Sequence, residues 1–216
     1  MITSTFTVTS AATLYLTTRA AVKTALGITS TDEDAYIDTL LPRVTWAICN
    51  YLGVASAADG TRTIGRETLV ETFRLTREED RLRLSRWPVV SITSVVEDDD
   101  TLASDEYEVD KATGLLRRMD GDDNVLTWVD DKVVVTYVAG WLLPGDASRN
   151  LPYDIEDAAI GLIKAARAAR KRDPMVKEED IPGVRRISYW VGSISDADGF
   201  PDDLAAKLAH YRDVVV

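Results

Sequence analysis

The chain holds a single cysteine, Cys49, and a single histidine, His210. One cysteine excludes an internal disulfide framework and any multi-cysteine metal site. One histidine leaves little for Ser-His-Asp or Cys-His chemistry, which needs an imidazole beside a nucleophile. No residue near His210 in sequence is suited to activation, and an exposed position on a helix accounts for it. Cys49 falls on the apolar side of a predicted helix and reads as a small core residue. Long apolar runs are missing too: no stretch approaches the ~20 residues needed to cross a bilayer. The start, "MITSTFTVTS", lacks the charged and apolar regions of a signal peptide, so cytoplasmic synthesis and no membrane partner are the expectation. No glycine-rich phosphate loop follows a strand. "DGDDN", Asp120 to Asn124, begins as a calcium loop does, but Val125 stands where that loop needs glycine and no glutamate closes it. The chain is read as a non-enzyme with no catalytic residue, no metal and no cofactor.

Basic residues are also in the minority. Lys and Arg number 25 against 36 Asp and Glu, a formal net charge of -11. Such a surface does not hold DNA by neutralising phosphates, although it suits a wall that DNA must pass without sticking. The local cluster Arg167, Arg170, Lys171 and Arg172 reads either as a nucleic-acid contact or as helix-end charge pairing with Glu178, Glu179 and Asp180. Overall charge favours the second.

What is present is a foldable chain, 45% hydrophobic, with two kinds of periodicity. Thr17 or Thr18 caps a short helix that ends at Gly27, and Ser30 with Glu33 has capping-box spacing for a second. Ile37, Leu40, Leu41, Val44, Ile48 and Tyr51 share one helix face, with Pro42 expected to kink it. From about Thr61 to Trp141 the period changes to two, and "ETLVETFRL", "RLRLSRWPVVSITSVVED", "EYEV", "GLLRR" and "KVVVTYVAGW" read as strands. "LPYDIEDAAIGLIKAARAARKRDP" is the clearest helix: acids at its start and bases at its end match the macrodipole. The fold class expected is α+β, a helical bundle with an inserted antiparallel β domain. Residues 1–60 form the N-terminal helical hairpin, 61–141 the β domain, and 142–216 the C-terminal helical part that completes the bundle.

Five tryptophans remain to be placed. Trp46 and Trp128 fit a core; Trp87, Trp141 and Trp190 sit at strand ends or beside turns, where aromatics serve protein contacts or plug a β domain. "IPGVRRISYW" is a lone basic, aromatic strand with no strand neighbour in sequence. Val184, Arg185, Arg186, Ile187, Ser188, Tyr189 and Trp190 are therefore expected to pair with another subunit or partner, the alternative being the chain's own β domain. The final helix offers a narrow seam, Leu204, Leu208 and Tyr211, and the apolar tail Val214, Val215 and Val216; both are candidates for docking on a partner.

Five stretches in order carry a resemblance: "AAVKTALGITSTDEDAYIDTLLPRVTWAICNYLG", "VVVTYVAGW", "LPYDIEDAAIGLIKAARAARKR", "IPGVRRISYW" and "FPDDLAAKLAHYRD". The pattern resembles the head–tail connector, or adaptor, proteins of tailed bacteriophages and gene-transfer agents. The resemblance implies a structural virion protein made in the host cytoplasm. It would assemble with itself into a homo-oligomeric ring, commonly of about twelve copies. The ring would dock below the portal protein at the head–tail interface, with DNA passing through its channel and stopper or tail-completion proteins on its other side. Asp32, Glu33 and Asp34 are candidates for an acidic channel lining. The competing reading from the residues alone is a small ligand- or carbohydrate-binding module with a β receptor domain, its surface tryptophans lining a sugar site.

Overall fold

The structure is a computed structural model that describes residues 3–10, 15–57, 59–129, 131–170, 178–181, 185–188 and 200–212. The chain divides into two bodies, Met1–Thr13 with Val54–Leu142 and Leu14–Gly53 with Leu143–Val216. The first is all β and the second is helical with one hairpin, so the class is α+β.

The β body contains strands β1 (Thr3–Ser10), β2 (Glu67–Arg74), β3 (Leu82–Arg83), β4 (Val89–Glu97), β5 (Asp100–Thr101), β6 (Tyr107–Asp110), β7 (Leu115–Met119), β8 (Val125–Leu126) and β9 (Lys132–Ala139). One antiparallel sheet runs β1-β2-β9-β4-β5; a second runs β3-β7-β6, with β8 also pairing β7. The alternation in β9 is complete: Val133, Val135, Tyr137 and Ala139 are buried while their neighbours are half-buried. They share a core with Leu69, Phe73, Val95, Leu116 and Trp128, each large side chain contributing about 1.5–3 kcal/mol through burial.

The same alternation in β2 turns two glutamates inward, and each finds partners. Glu71 accepts from Ser85 Oγ at 2.6 Å, the Ser85 N–H at 3.0 Å and Tyr137 OH at 2.7 Å. Burial, and then the Glu71 charge, hold the Tyr137 hydroxyl protonated far above the usual phenol range. Glu67 pairs with buried Arg86 at 3.2 Å, and the Arg86 guanidinium lies 4.7 Å from the Phe6 ring centroid. Desolvation raises the Glu67 carboxyl above its ordinary value, with Arg86 opposing the shift. After β9, Gly140 takes φ +97 against the backbone of Gly65, and Trp141 exchanges hydrogen bonds with Ile64 and Arg66.

Strand Thr3–Ser10 corrects the sequence reading, which placed residues 1–60 in a helical hairpin. It pairs antiparallel with β2 along Thr3↔Arg74 to Ser10↔Thr68. The partner lies far along the chain, so no local turn announces the pairing.

The helical body contains α1 (Arg19–Leu26), α2 (Asp34–Tyr51), α3 (Tyr153–Ala169), the strands β10 (Glu178–Ile181) and β11 (Arg185–Ser188), and α4 (Asp202–Leu208) followed by a 3-10 turn, Ala209–Tyr211. Thr18 caps α1 by accepting from the Ala21 N–H at 3.1 Å, and Gly27 ends it at φ 64. The expected capping box of α2 is absent: Glu33 is itself the N-cap and makes no capping bond. Its carboxylate instead accepts from Arg167 Nε at 2.6 Å, tying α2 to α3. The α2 helix continues through Pro42, and Ile37, Leu40, Leu41, Val44, Ile48 and Cys49 are buried. Helix α3 buries Ile155, Ala158, Ala159, Leu162 and Ile163. Glu156, which reads in sequence as a macrodipole residue, is buried as well. It accepts from Thr17 Oγ1 at 3.2 Å and from Arg149, so it joins three segments of the body.

Candidate interaction surfaces

Among the described residues no group of three or more His, Cys, Asp or Glu side chains is placed to hold a metal ion. No described helix is long and apolar enough to cross a membrane. The "DGDDN" segment is organised as a turn. Asp120 accepts from the Asp122 and Asn124 backbone N–H groups and from Asn124 Nδ2, and these bonds, the Asn124 side chain first, lower its carboxyl pKa. His210 is exposed beside α4, its ring 3.7 Å from that of Tyr211. Surfaces, rather than a pocket of reactive groups, are what the described residues offer.

Residues Arg185 to Ser188 form a strand, as their sequence predicts, but the expected absence of a neighbour is corrected. They pair antiparallel with Glu178–Ile181 in the register Glu178↔Ser188, Glu179↔Ile187, Asp180↔Arg186 and Ile181↔Arg185. The signal was present in the mirrored sequence: an acidic run, Pro182-Gly183, then a basic run. In this register one opposite-charge pair, Asp180 and Arg186, stands directly across the strands, which favours the antiparallel pairing. Neither the neighbouring subunit nor the chain's own β body supplies this first pairing. The hairpin is a separate two-stranded sheet, so each of its strands has one edge not paired in any described sheet. Val184, Tyr189, Trp190 and Val214 to Val216 lie outside the described residues.

The seam on α4 is corrected further. Leu204 and Leu208 are 6% and 0% exposed, and they are covered within their own body. A Cβ built on Gly161 of α3 would lie 3.0 Å from Leu204 Cδ2, so the missing side chain is what lets α4 approach. Phe200 stacks on Tyr51 at 4.8 Å between centroids, and Tyr51 OH donates to the Ala205 carbonyl at 3.4 Å. Only Tyr211 of the seam is half-exposed. Two of the three channel-lining candidates are engaged inside the body. Asp34 pairs with Lys23 at 2.6 Å and Arg19 at 3.1 Å, and Glu33 pairs with Arg167. Asp32 is exposed. The basic cluster at the end of α3 is likewise occupied in part, with Arg167 on Glu33 and Arg170 over the Tyr36 ring at 4.6 Å.

The tryptophans divide differently from the sequence expectation. Trp128 is fully buried, but Trp46 is 42% exposed. With about 100° per residue, Trp46 lies opposite the stripe of Ile37, Leu41, Val44 and Ile48. Trp87 and Trp141 are half-buried, and Trp190 lies outside the described residues. Tyr153 is 74% exposed at the start of α3. Its ring lies 4.6 Å from the Arg149 guanidinium carbon. On the β body the exposed apolar residues are Val90, Val125, Leu126 and Val129; Val125 and Leu126 line an open groove with Asp80, Arg81, Arg117 and Thr127.

The sequence pattern of the head completion protein family matches residues 15–165, more than two thirds of the chain. The chain belongs to the head completion protein family. The match takes in α1, α2, strands β2 to β9 and most of α3, and leaves β1, the β10–β11 hairpin and α4 outside it. A search among curated proteins found no match. Three solved structures share the fold over nearly the whole chain. A chain in the neck of an empty gene transfer agent particle, determined with C6 symmetry, is 18% identical, with a TM-score of 0.53. One in the neck of a native particle, determined with C12 symmetry, is 16% identical at 0.51. One in the virion of a native gene transfer agent particle is 17% identical at 0.54. Each covers 98% of this chain and 96% of the other. The family agrees with the head–tail connector resemblance carried by the five sequence stretches. The shared fold also takes in the region of the hairpin and α4, which the family pattern leaves out.

Proposed function

We propose that the chain is a structural subunit of the virion neck: a head–tail connector that forms a ring below the portal, encloses the DNA channel and bridges the portal to stopper or tail-completion proteins. The observation that carries this reading is family membership over residues 15–165 combined with a shared fold, end to end, with gene transfer agent neck proteins. The C6 and C12 symmetries of those necks support a ring, with about twelve copies as the number to test. A net charge of -11 supports a channel that lets DNA slide past without binding it. In this reading the protein catalyses nothing and works by geometry.

The contact elements proposed are the segment Val184 to Trp190 and the tail Val214 to Val216. The hairpin pairing leaves the outer edge of Arg185–Ser188 available for one more strand from a neighbouring copy or the portal. The test is electron microscopy of particles made with and without the chain. With it, the neck should contain a closed ring of this fold between portal and tail. Without it, heads should fill with DNA yet fail to join tails. Normal tailed particles in its absence would overturn the proposal.

A further inference from the structure

We infer that the groove beside β8, lined by Arg81, Arg117, Val125 and Leu126, receives the tail segment Asp213 to Val216 of a second copy as an added strand. This gives the tail a seat; it deepens the ring reading and rests on it. A cyclic ring larger than a dimer is held by a head-to-tail contact between two different patches of the same chain. The groove and the tail are two such patches.

The groove lies on the β body. Val125 and Leu126 are 60% and 41% exposed, and Val129, close by in sequence, is 58% exposed. Exposed apolar residues clustered in this way mark interaction sites. Strand β8 is two residues long and pairs only with β7 among the described sheets, at Arg118↔Leu126 and Met119↔Val125. Its other edge is open to one more strand. Side chains alternate across a strand, so Val125 presents an apolar group on one face of β8 and Leu126 on the other.

Charge selects the strand that fits. Asp80, Arg81 and Arg117 also line the groove, two cations against one anion. Arg81 is exposed and makes no ion pair among the described residues. Arg117 reaches Glu108 at 3.7 Å with both side chains at least half-exposed, a kind of pairing that contributes little and exchanges easily. A groove of this composition suits a segment that is acidic and apolar. Asp213-Val214-Val215-Val216 is such a segment: three β-branched residues, the type that strands favour, directly after a carboxylate. Laid beside β8, it sets valines against the apolar groups of both faces and brings Asp213 to the arginines. The strand Arg185–Ser188 does not fit the same groove, because its own arginines would face Arg81 and Arg117.

The test is a cysteine pair, Val125→Cys with Val215→Cys, in the full chain incorporated into particles, followed by isolation of the necks and mild oxidation. A ladder of covalent multiples on a non-reducing gel is expected from the pair and from neither single variant. A bond that closes within one copy gives single-chain bands without free thiols at these positions and overturns the contact between copies. Charge exchange supplies a second reading. Arg81→Glu and Asp213→Arg alone should each raise the concentration needed for self-association about tenfold or more, and the two together should restore it. Arg81 is exposed, so circular dichroism should stay unchanged. A neck that contains a ring of this chain but yields no ladder and no charge rescue overturns this contact and leaves the ring reading standing. A neck that contains isolated single copies overturns both.

Discussion

Replacing Gly140 by alanine tests how the β body is closed. Gly140 follows β9 with φ +97, and a Cβ there would lie 2.4 Å from the Gly65 carbonyl oxygen, 2.7 Å from its carbon and 2.8 Å from the Ile64 oxygen. All three are backbone atoms. They cannot swing aside as a side-chain tip could, because the Trp141 N–H donates to the Ile64 carbonyl at 2.9 Å and the Arg66 N–H to the Trp141 carbonyl at 2.8 Å. Holding a non-glycine residue at such a backbone angle costs about 1–3 kcal/mol. Forcing atoms into filled space typically adds about 1–3 kcal/mol. The expected loss of about 2–6 kcal/mol is a large share of a typical stability of about 5–15 kcal/mol. Gly60 provides the control: its φ is +83, and a Cβ there meets nothing within 4 Å. Gly60→Ala should show only the backbone part. Urea denaturation followed by tryptophan fluorescence, with Trp128 buried in this body, measures both variants. If the Gly140→Ala and Gly60→Ala midpoints coincide, the steric reasoning is wrong.

Tyr137→Phe removes one of the donors to the buried Glu71 carboxylate and should cost about 1.5–3 kcal/mol in denaturant unfolding, the usual range for a hydrogen bond to a charge; no change would mean that the two Ser85 donors suffice. Ile187→Pro takes an N–H out of β11, which pairs with Glu179, so incorporation into necks should fail while monomer circular dichroism stays nearly unchanged; normal incorporation would remove the hairpin from the contact set. Asp34, Asp59, Asp110 and Asp120 are held below the ordinary 3.8, chiefly by Lys23, the Thr61 N–H, Thr113 and Asn124 in turn. Their stabilisation is present above pH 3.8 and is lost as pH falls through their folded values. Glu67 runs the other way: its raised carboxyl favours the fold most below 4.5 and less as pH rises through its folded value. Unfolding midpoints across the acid range should therefore fall more steeply for the native chain than for Asp34→Asn, and parallel curves would contradict this.

What the sequence determined by itself was everything set by neighbours along the chain. The cap at Thr18 and the stop at Gly27 need only a hydroxyl and a left-handed turn within reach of the backbone they serve. The stripe of α3 and the alternation of β9 are periods of a single segment, so each was legible without knowing what covers it. The family pattern survives in sequence because it is made of such segments in a fixed order. Tertiary structure decided what depends on distant groups. Thr3–Ser10 carries no charge and no turn signal, and it is a strand because β2 lies beside it. Glu33 looks like one half of a capping box until Arg167 takes its carboxylate. Leu204 and Leu208 form too narrow a seam to declare a partner, and a glycine on another helix decides that α3 is that partner. Trp46 and Trp128 are equally hydrophobic in sequence, yet one is exposed and the other enclosed. The physical reason is common to these cases: a side chain's chemistry travels with the residue, whereas its burial and its charge partner are properties of whichever segment packs against it.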